Sequence, residues 1–165
     1  MAHTLILGQT ESGKTTFARI LAEKYRARGI PVLVLDAAHN AWPADYQTAD
    51  AGEFMQTTIR SRGAAVFIDE AGRAVSWLNK DMADVASMYR HLGHFAHFIA
   101  QRPTMVAPTV RHNCSRMVLF SVSRADAADL GKEWTCDEIA AAPQFKQGEH
   151  LIISRFGAPV RGNLF

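Results

Sequence analysis

The residues best placed to do chemistry begin at Gly8-Gln9-Thr10-Glu11-Ser12-Gly13-Lys14-Thr15, the stretch GQTESGKT. It fits G-x-x-x-x-G-K-[ST] in full, with an apolar run before it and a helical pattern after it. Gly8 and Gly13 let the backbone curl so that consecutive N–H groups face inward. Lys14 brings a positive charge to the outer phosphates, and Thr15 offers a hydroxyl to Mg²⁺. The helix starting there favours an anion at its N-terminus. The expected triphosphate set is Gly8, Gln9, Thr10, Glu11, Ser12, Gly13, Lys14, Thr15 and Thr16.

The second group is Asp69-Glu70, which closes the apolar run AAVFI. In a parallel sheet the C-terminal strand ends face the crevice that holds the ligand. Asp69 there can hold Mg²⁺, so Thr15 and Asp69 form the expected metal pair. Glu70 can take a proton from an attacking water. A transferase must exclude water, so this second acid favours hydrolysis. The third group is Gln101-Arg102-Pro103, after HFIA. An amide at Gln101 can hydrogen-bond a γ-phosphate or the attacking water, and Pro103 turns the chain away.

Positioning these groups requires strands that end together. The runs TLIL (4–7), VLVL (32–35), AAVFI (64–68), HFIA (97–100) and RMVLF (116–120) are continuously apolar, as strands covered on both faces are. Helical patterns lie between them. Lys14 to Arg28 places Phe17, Ile20, Leu21 and Tyr25 at helical spacing. Asp50 to Arg60 has Asp50 as its cap. Asp81 to Gly93 places Val85, Met88, Tyr89 and Leu92 on one side. Shorter helices cover 108–112 and 125–132. The fold class is α/β, with a mainly parallel central sheet between helical layers. The tail GEHLIISRFGAPVRGNLF reads as a hairpin on the sheet edge, turning at Phe156-Gly157-Ala158-Pro159.

The order GQTESGKT, FIDEAG, FIAQRPT, then RMVLFSVSRADAADL resembles the FtsK–HerA superfamily of DNA-pumping ATPases, especially the small genome-packaging ATPases of double-stranded DNA viruses and phages. The likeness covers most of the chain. It implies a P-loop NTPase of RecA/ASCE type and an ATPase with ATP and Mg²⁺ as cofactors. It also implies a homo-oligomeric ring, pentamer or hexamer, that moves double-stranded DNA with a capsid or portal protein as partner. By this resemblance Gln101 senses the nucleotide and an arginine reaches the neighbour's ATP. Arg124 is the first choice for that finger and Arg116 the second, with Arg102 also beyond the fourth apolar run. The expected catalytic set is therefore Glu70, Gln101, Arg124 and Arg116.

The totals agree. The chain has 165 residues, 48% hydrophobic and 21% charged, with a net charge of +2. That suits one domain over 1–165 with a real core. It permits a polyanionic partner without announcing one. Cys114 and Cys136 stand far apart, which favours a reducing cytoplasm; for a viral protein this is the host cytoplasm or, transiently, a procapsid vertex. No stretch approaches the ~20 apolar residues of a membrane span, and the N-terminus does not read as a signal peptide. DNA contacts are expected from Arg73 to Lys80 around Trp77, with Arg60 and Arg62 nearby.

Other chemistries fit less well. His91, His94 and His97 are spaced for zinc only if one helix carries them, and Gly93 interrupts it. Asn79-Lys80-Asp81 misses the guanine-selecting N-K-x-D because position 82 is Met82. Asp36 would bind a ribose in a dinucleotide fold, but the loop is not G-x-G-x-x-G. Ala38 to Trp42 is open as a subunit contact. A small-molecule kinase would suit the loop, yet no Arg-rich lid is visible and Glu70 is left unexplained. A phage assembly protein that binds nucleotide for shape is the remaining alternative.

Overall fold

The computed structural model describes residues 2–69 and 82–165. Among them, eight strands form one sheet in the order β3-β2-β4-β5-β1-β6-β7-β8. The strands are β1 (His3–Leu7), β2 (Val32–Asp36), β3 (Tyr46–Thr48), β4 (Ala65–Asp69), β5 (Phe95–Ala100), β6 (Cys114–Leu119), β7 (Glu149–Ser154) and β8 (Val160–Asn163). The first six in chain order pair in parallel, β7 adds antiparallel to β6, and β8 adds antiparallel to β7. The edge hairpin is thus where the tail pattern puts it. Strand β3 has no counterpart in the sequence reading. It is three half-buried or exposed residues on the far edge, with no apolar run to mark it.

The helices are α1 (Lys14–Ala27), α2 (Ala51–Arg60), α3 (Met82–His91), α4 (Pro108–Asn113) and α5 (Arg124–Trp134), with a 3₁₀ helix at Asp137–Gln144. Asp50 caps α2 as expected, its Oδ1 accepting from the Glu53 N–H at 2.7 Å. The apolar runs resolve into two faces because side chains alternate along a strand. Leu5, Leu7, Leu33, Leu35, Val66, Ile68, Phe98 and Met117 point into one core, closed by Phe54 of α2, Tyr89 of α3, Val110 of α4 and Leu130 of α5. Ile6, Val32, Val34, Phe67, Ile99 and Val118 point into the other, closed by α1. The result is three layers.

Helix α1 approaches the sheet through Ala18 and Ala22, both fully buried, with Phe17, Leu21 and Tyr25 flanking them. Ile20, which the spacing suggested for this face, is exposed instead. Small side chains at the closest approach let the helix sit low on the sheet, and this sets the depth of the loop that precedes it.

Candidate nucleotide site

The phosphate loop leaves the C-terminal end of β1 at mid-sheet and is tied to both neighbouring strand ends. The Gly8 N–H donates to the Ala100 carbonyl at 3.3 Å and the Gln9 N–H to the Ser121 carbonyl at 2.8 Å. Gly8 has no room for a side chain: a Cβ would stand 2.6 Å from both the Phe120 Cβ and the Ser12 Oγ. Glu11 (φ 62°) and Gly13 (φ 116°) are left-handed, and such reversals turn successive N–H groups toward one point. Helix α1 opens immediately after Gly13 and has no acid in its first turn, so the anion-binding end is unopposed.

Lys14 is buried, and its Nζ donates to the Gln9 carbonyl at 2.8 Å, across the mouth of the loop. The Thr15 Oγ1 donates to Asp69 Oδ2 at 3.3 Å. Parity explains this meeting: Ala65, Phe67 and Asp69 share the α1 side of β4. The hydroxyl and the carboxylate expected to share one Mg²⁺ thus stand side by side. Thr10 and Thr16 are exposed. Glu70 lies outside the described residues, as do Arg73, Trp77 and Lys80. Arg60 and Arg62 stand before β4, at the opposite end of the sheet from Asp69. Arg62 donates to the carbonyls of Ile59 and Ser61 at the end of α2.

Gln101 continues β5 beside the loop. A cleft of ≈ 600 Å³ is lined by Gln9, Thr10, Gln101, Arg102, Ser123 and Asp126, so the phosphate loop and the β5 end share one space. Arg102 is exposed, but its guanidinium is already paired within the chain. Its Nε and Nη2 donate to Asp126 Oδ2 and Oδ1 at 3.0 and 3.1 Å, a two-point pair. The Arg102 hydrogen bonds hold the Asp126 carboxyl below its usual range, and the Ser123 hydroxyl adds to this, against a smaller opposing effect of burial. The segment after Pro103 is fastened too: Arg111 Nη1 donates to the carbonyls of Pro103 and Val106. Neither pairing carries a sequence signal, because Arg102 and Arg111 meet their partners only through the fold.

The two finger arginines fall at opposite ends. Arg124 is exposed at the first turn of α5, next to Ser123 of the cleft. Arg116 pairs in register with Thr4, three residues before the end of β1. It is exposed, near enough to Tyr25 and His97 for its charge to act on both, and so lies away from the phosphate loop.

The remaining polar residues resolve into structural roles. The Asp36 carboxylate accepts from the Ala38 and Asn40 N–H groups, from Asn40 Nδ2 and from Trp42 Nε1, so it organises the following loop rather than facing a ribose. His94 accepts from the Ala64 N–H at Nδ1 and donates from Nε2 to the Thr58 carbonyl. His97 is buried among Tyr25 and Phe67. Among the described residues no cluster can hold a metal through three His, Cys, Asp or Glu. Both cysteines are free and buried, and no described helix is long and apolar enough to cross a membrane.

A phosphate loop after β1, between β5 and β6 of a parallel array, with an acid and an amide on the adjoining ends of β4 and β5, defines the P-loop NTPase fold. The sequence matches the family described as Helicase HerA, central domain, over residues 1–86, just over half of the chain. The chain belongs to this family, within the FtsK–HerA superfamily of P-loop ATPases.

Solved structures show the same fold. The genome packaging NTPase B204 from Sulfolobus turreted icosahedral virus 2, in complex with AMPPCP, superposes with a TM-score of 0.78 at 15% identity. The match covers 98% of this chain and 96% of that one. VirB4 of Thermoanaerobacter pseudethanolicus matches at 0.72 and 10% identity, over 98% and 88% of the two chains. The pCW3 conjugation coupling protein TcpA with ATPγS matches at 0.71 and 14% identity, over 98% of this chain and 59% of that one. Among curated protein sequences none matches.

Proposed function

We propose that this chain is an ATP-hydrolysing motor that moves double-stranded DNA as a homo-oligomeric ring, packaging a viral genome into a capsid. The observation that carries the reading is the cleft in which Gln9 and Thr10 of the phosphate loop face Gln101 and the Arg102–Asp126 pair. Beside this cleft the loop and Lys14 take the triphosphate, with Thr15 and Asp69 on Mg²⁺. Glu70 activates water, and Gln101 reports the γ-phosphate. Bound Mg²⁺ supplies charge neutralisation on the phosphates.

Arg124 serves best as the residue offered to a neighbouring subunit, since it is exposed and joined to Gln101 by a short rigid path. That path runs through Arg102 to Asp126, two residues further along α5. Arg116 is the second choice, acting from the other end of the sheet. A guanidinium placed on a transferring phosphoryl group is worth several orders of magnitude in rate. The match in both lengths to a genome packaging NTPase supports the viral role. The place of action is then the cytoplasm of an infected cell, at a portal or capsid vertex.

The test is ATP hydrolysis with and without double-stranded DNA, for wild type and Glu70→Gln. The motor reading expects DNA-stimulated turnover that Glu70→Gln abolishes while ATP still binds. Phosphate transfer to a nucleoside with Glu70 dispensable would mean a kinase. Tight binding without turnover in either condition would mean an assembly protein.

A further inference from the structure

The edge hairpin reaches back to the phosphate loop, and this contact has no part in the reaction described so far. Two consecutive carbonyls of the loop are held by two consecutive residues of the turn before β7. Gln147 Nε2 donates to the Glu11 carbonyl at 3.0 Å, and the Gly148 N–H donates to the Ser12 carbonyl at 3.0 Å. We infer that Gln147 and Gly148 are positioning residues for the nucleotide, which makes the C-terminal hairpin part of the phosphate-binding machinery. The inference rests on ATP binding at the loop.

The reason lies in peptide geometry. A loop that turns its N–H groups inward to an anion turns its carbonyls outward, where they need donors. Glu11 adds a second demand. It is a non-glycine residue at φ 62°, a conformation that Cβ–carbonyl contacts disfavour and that persists only where neighbours impose it. Gln147 bonds the carbonyl of that same residue, and Gly148 bonds the next. Together they hold both outward carbonyls at the point where the backbone is left-handed.

The brace is itself rigid. The Lys146 N–H donates to Glu149 Oε2 at 2.7 Å and the Glu149 N–H to the Lys146 carbonyl at 3.0 Å, closing the turn. The Gly148 carbonyl accepts from the Leu164 N–H at 3.1 Å and from His150 Nδ1 at 2.9 Å. Gly148 is left-handed at φ 85°, and a Cβ there would stand 2.6 Å from the Phe165 ring and 2.9 Å from Asn163 Oδ1. The Leu164 side chain comes within 3.1 Å of where a Gly13 Cβ would be. His150 packs edge-on against Phe17 of α1. The hairpin, the loop and the first turn of α1 therefore form one packed unit.

The experiment uses the full chain and Gln147→Met, which keeps the length of the side chain and removes the donor. Gln147 is exposed, so the variant folds as wild type does, and a melting curve verifies this. The expected result is about fivefold weaker ATP binding, the worth of one neutral hydrogen bond, with a matching rise in KM and kcat unchanged. A second readout is backbone hydrogen exchange with and without a non-hydrolysable ATP analogue. The amides of Gly13, Lys14 and Gly148 should all be protected together. Unchanged affinity in Gln147→Met overturns the inference, as does protection at Gly13 and Lys14 with none at Gly148. No protection at Gly13 and Lys14 in wild type refutes ATP binding itself, a separate failure that also removes the basis of the brace.

Discussion

His97 should make the stability of this fold depend on pH, and replacing it should remove its share of that dependence. It sits on β5, four residues before Gln101, 1% exposed, and stacks on Phe67 at a centroid distance of 4.4 Å with Tyr25 beside it. Neither ring nitrogen finds a hydrogen-bond partner among the described residues. Burial pushes its pKa from 6.5 to about 3, and the positive charges available to His3 of β1 and Arg116 of β6 push the same way. The native ring is therefore neutral where the ring of an unfolded chain takes up a proton.

The sign follows from that difference. As pH falls below 6.5 the unfolded state binds a proton that the native state refuses, so stability declines until the native pKa near 3 is reached. The limiting slope is about 1.4 kcal/mol per pH unit, and integration between about pH 8 and about pH 5 gives a loss of ~2 kcal/mol from this one ring. His97→Leu removes the titrating group and two unsatisfied nitrogens while keeping the site filled. The variant should be at least as stable as wild type near neutrality. In urea unfolding followed by circular dichroism, the gap between variant and wild type should widen by ~2 kcal/mol over that interval. His3, also lowered by burial, is present in both proteins and cancels. A gap that stays constant with pH would refute the reasoning, because the native ring would then be accepting the proton as the unfolded ring does.

Gly8→Ala forces a Cβ to 2.6 Å from Phe120 Cβ and Ser12 Oγ, so the loop must shift away from β6; roughly tenfold weaker ATP binding by fluorescence titration is expected, matching an overpacking cost of at least ~1.4 kcal/mol. Arg102→Ala frees Asp126 and loosens the link from Gln101 to α5. Turnover should fall with ATP affinity retained. Because Arg102 holds the Asp126 carboxyl below its usual 3.8, the pair's contribution is present above that pH and is lost only as pH falls through the lowered value. The ratio of wild-type to variant turnover should accordingly stay flat from about pH 8 to about pH 5, and a ratio that changes across this range would show that another group is responsible.

Much of this protein is legible without coordinates, for a physical reason in each case. GQTESGKT can be read because the backbone geometry needs glycine at fixed places and the phosphates need Lys14 and Thr15, all within one short segment. The strands can be read because a doubly covered parallel sheet demands continuous apolar runs, and Asp69 stands out as a carboxylate at the end of one. The Asp50 cap is local in the same way. These features involve residues near one another in the chain, where composition and spacing carry the information.

What only the tertiary structure decides involves partners far apart in sequence. Strand β3 exists because β2 offers an edge, not because Tyr46-Gln47-Thr48 favours extension by itself. Arg102 is removed from the list of free arginines by Asp126, 24 positions away, while Arg124 and Arg116 are separated to opposite ends of the sheet by the register of β6. Asp36, a candidate ribose ligand by position, is consumed by its own loop. The sharpest case is the loop that opened the reading. Its sequence determines that a triphosphate can be cradled there, because each required residue is local. Whether the cradle keeps its shape is decided by Gln147 and Gly148, 136 residues on from the carbonyls they hold, because outward-facing peptide groups must find donors wherever the fold supplies them.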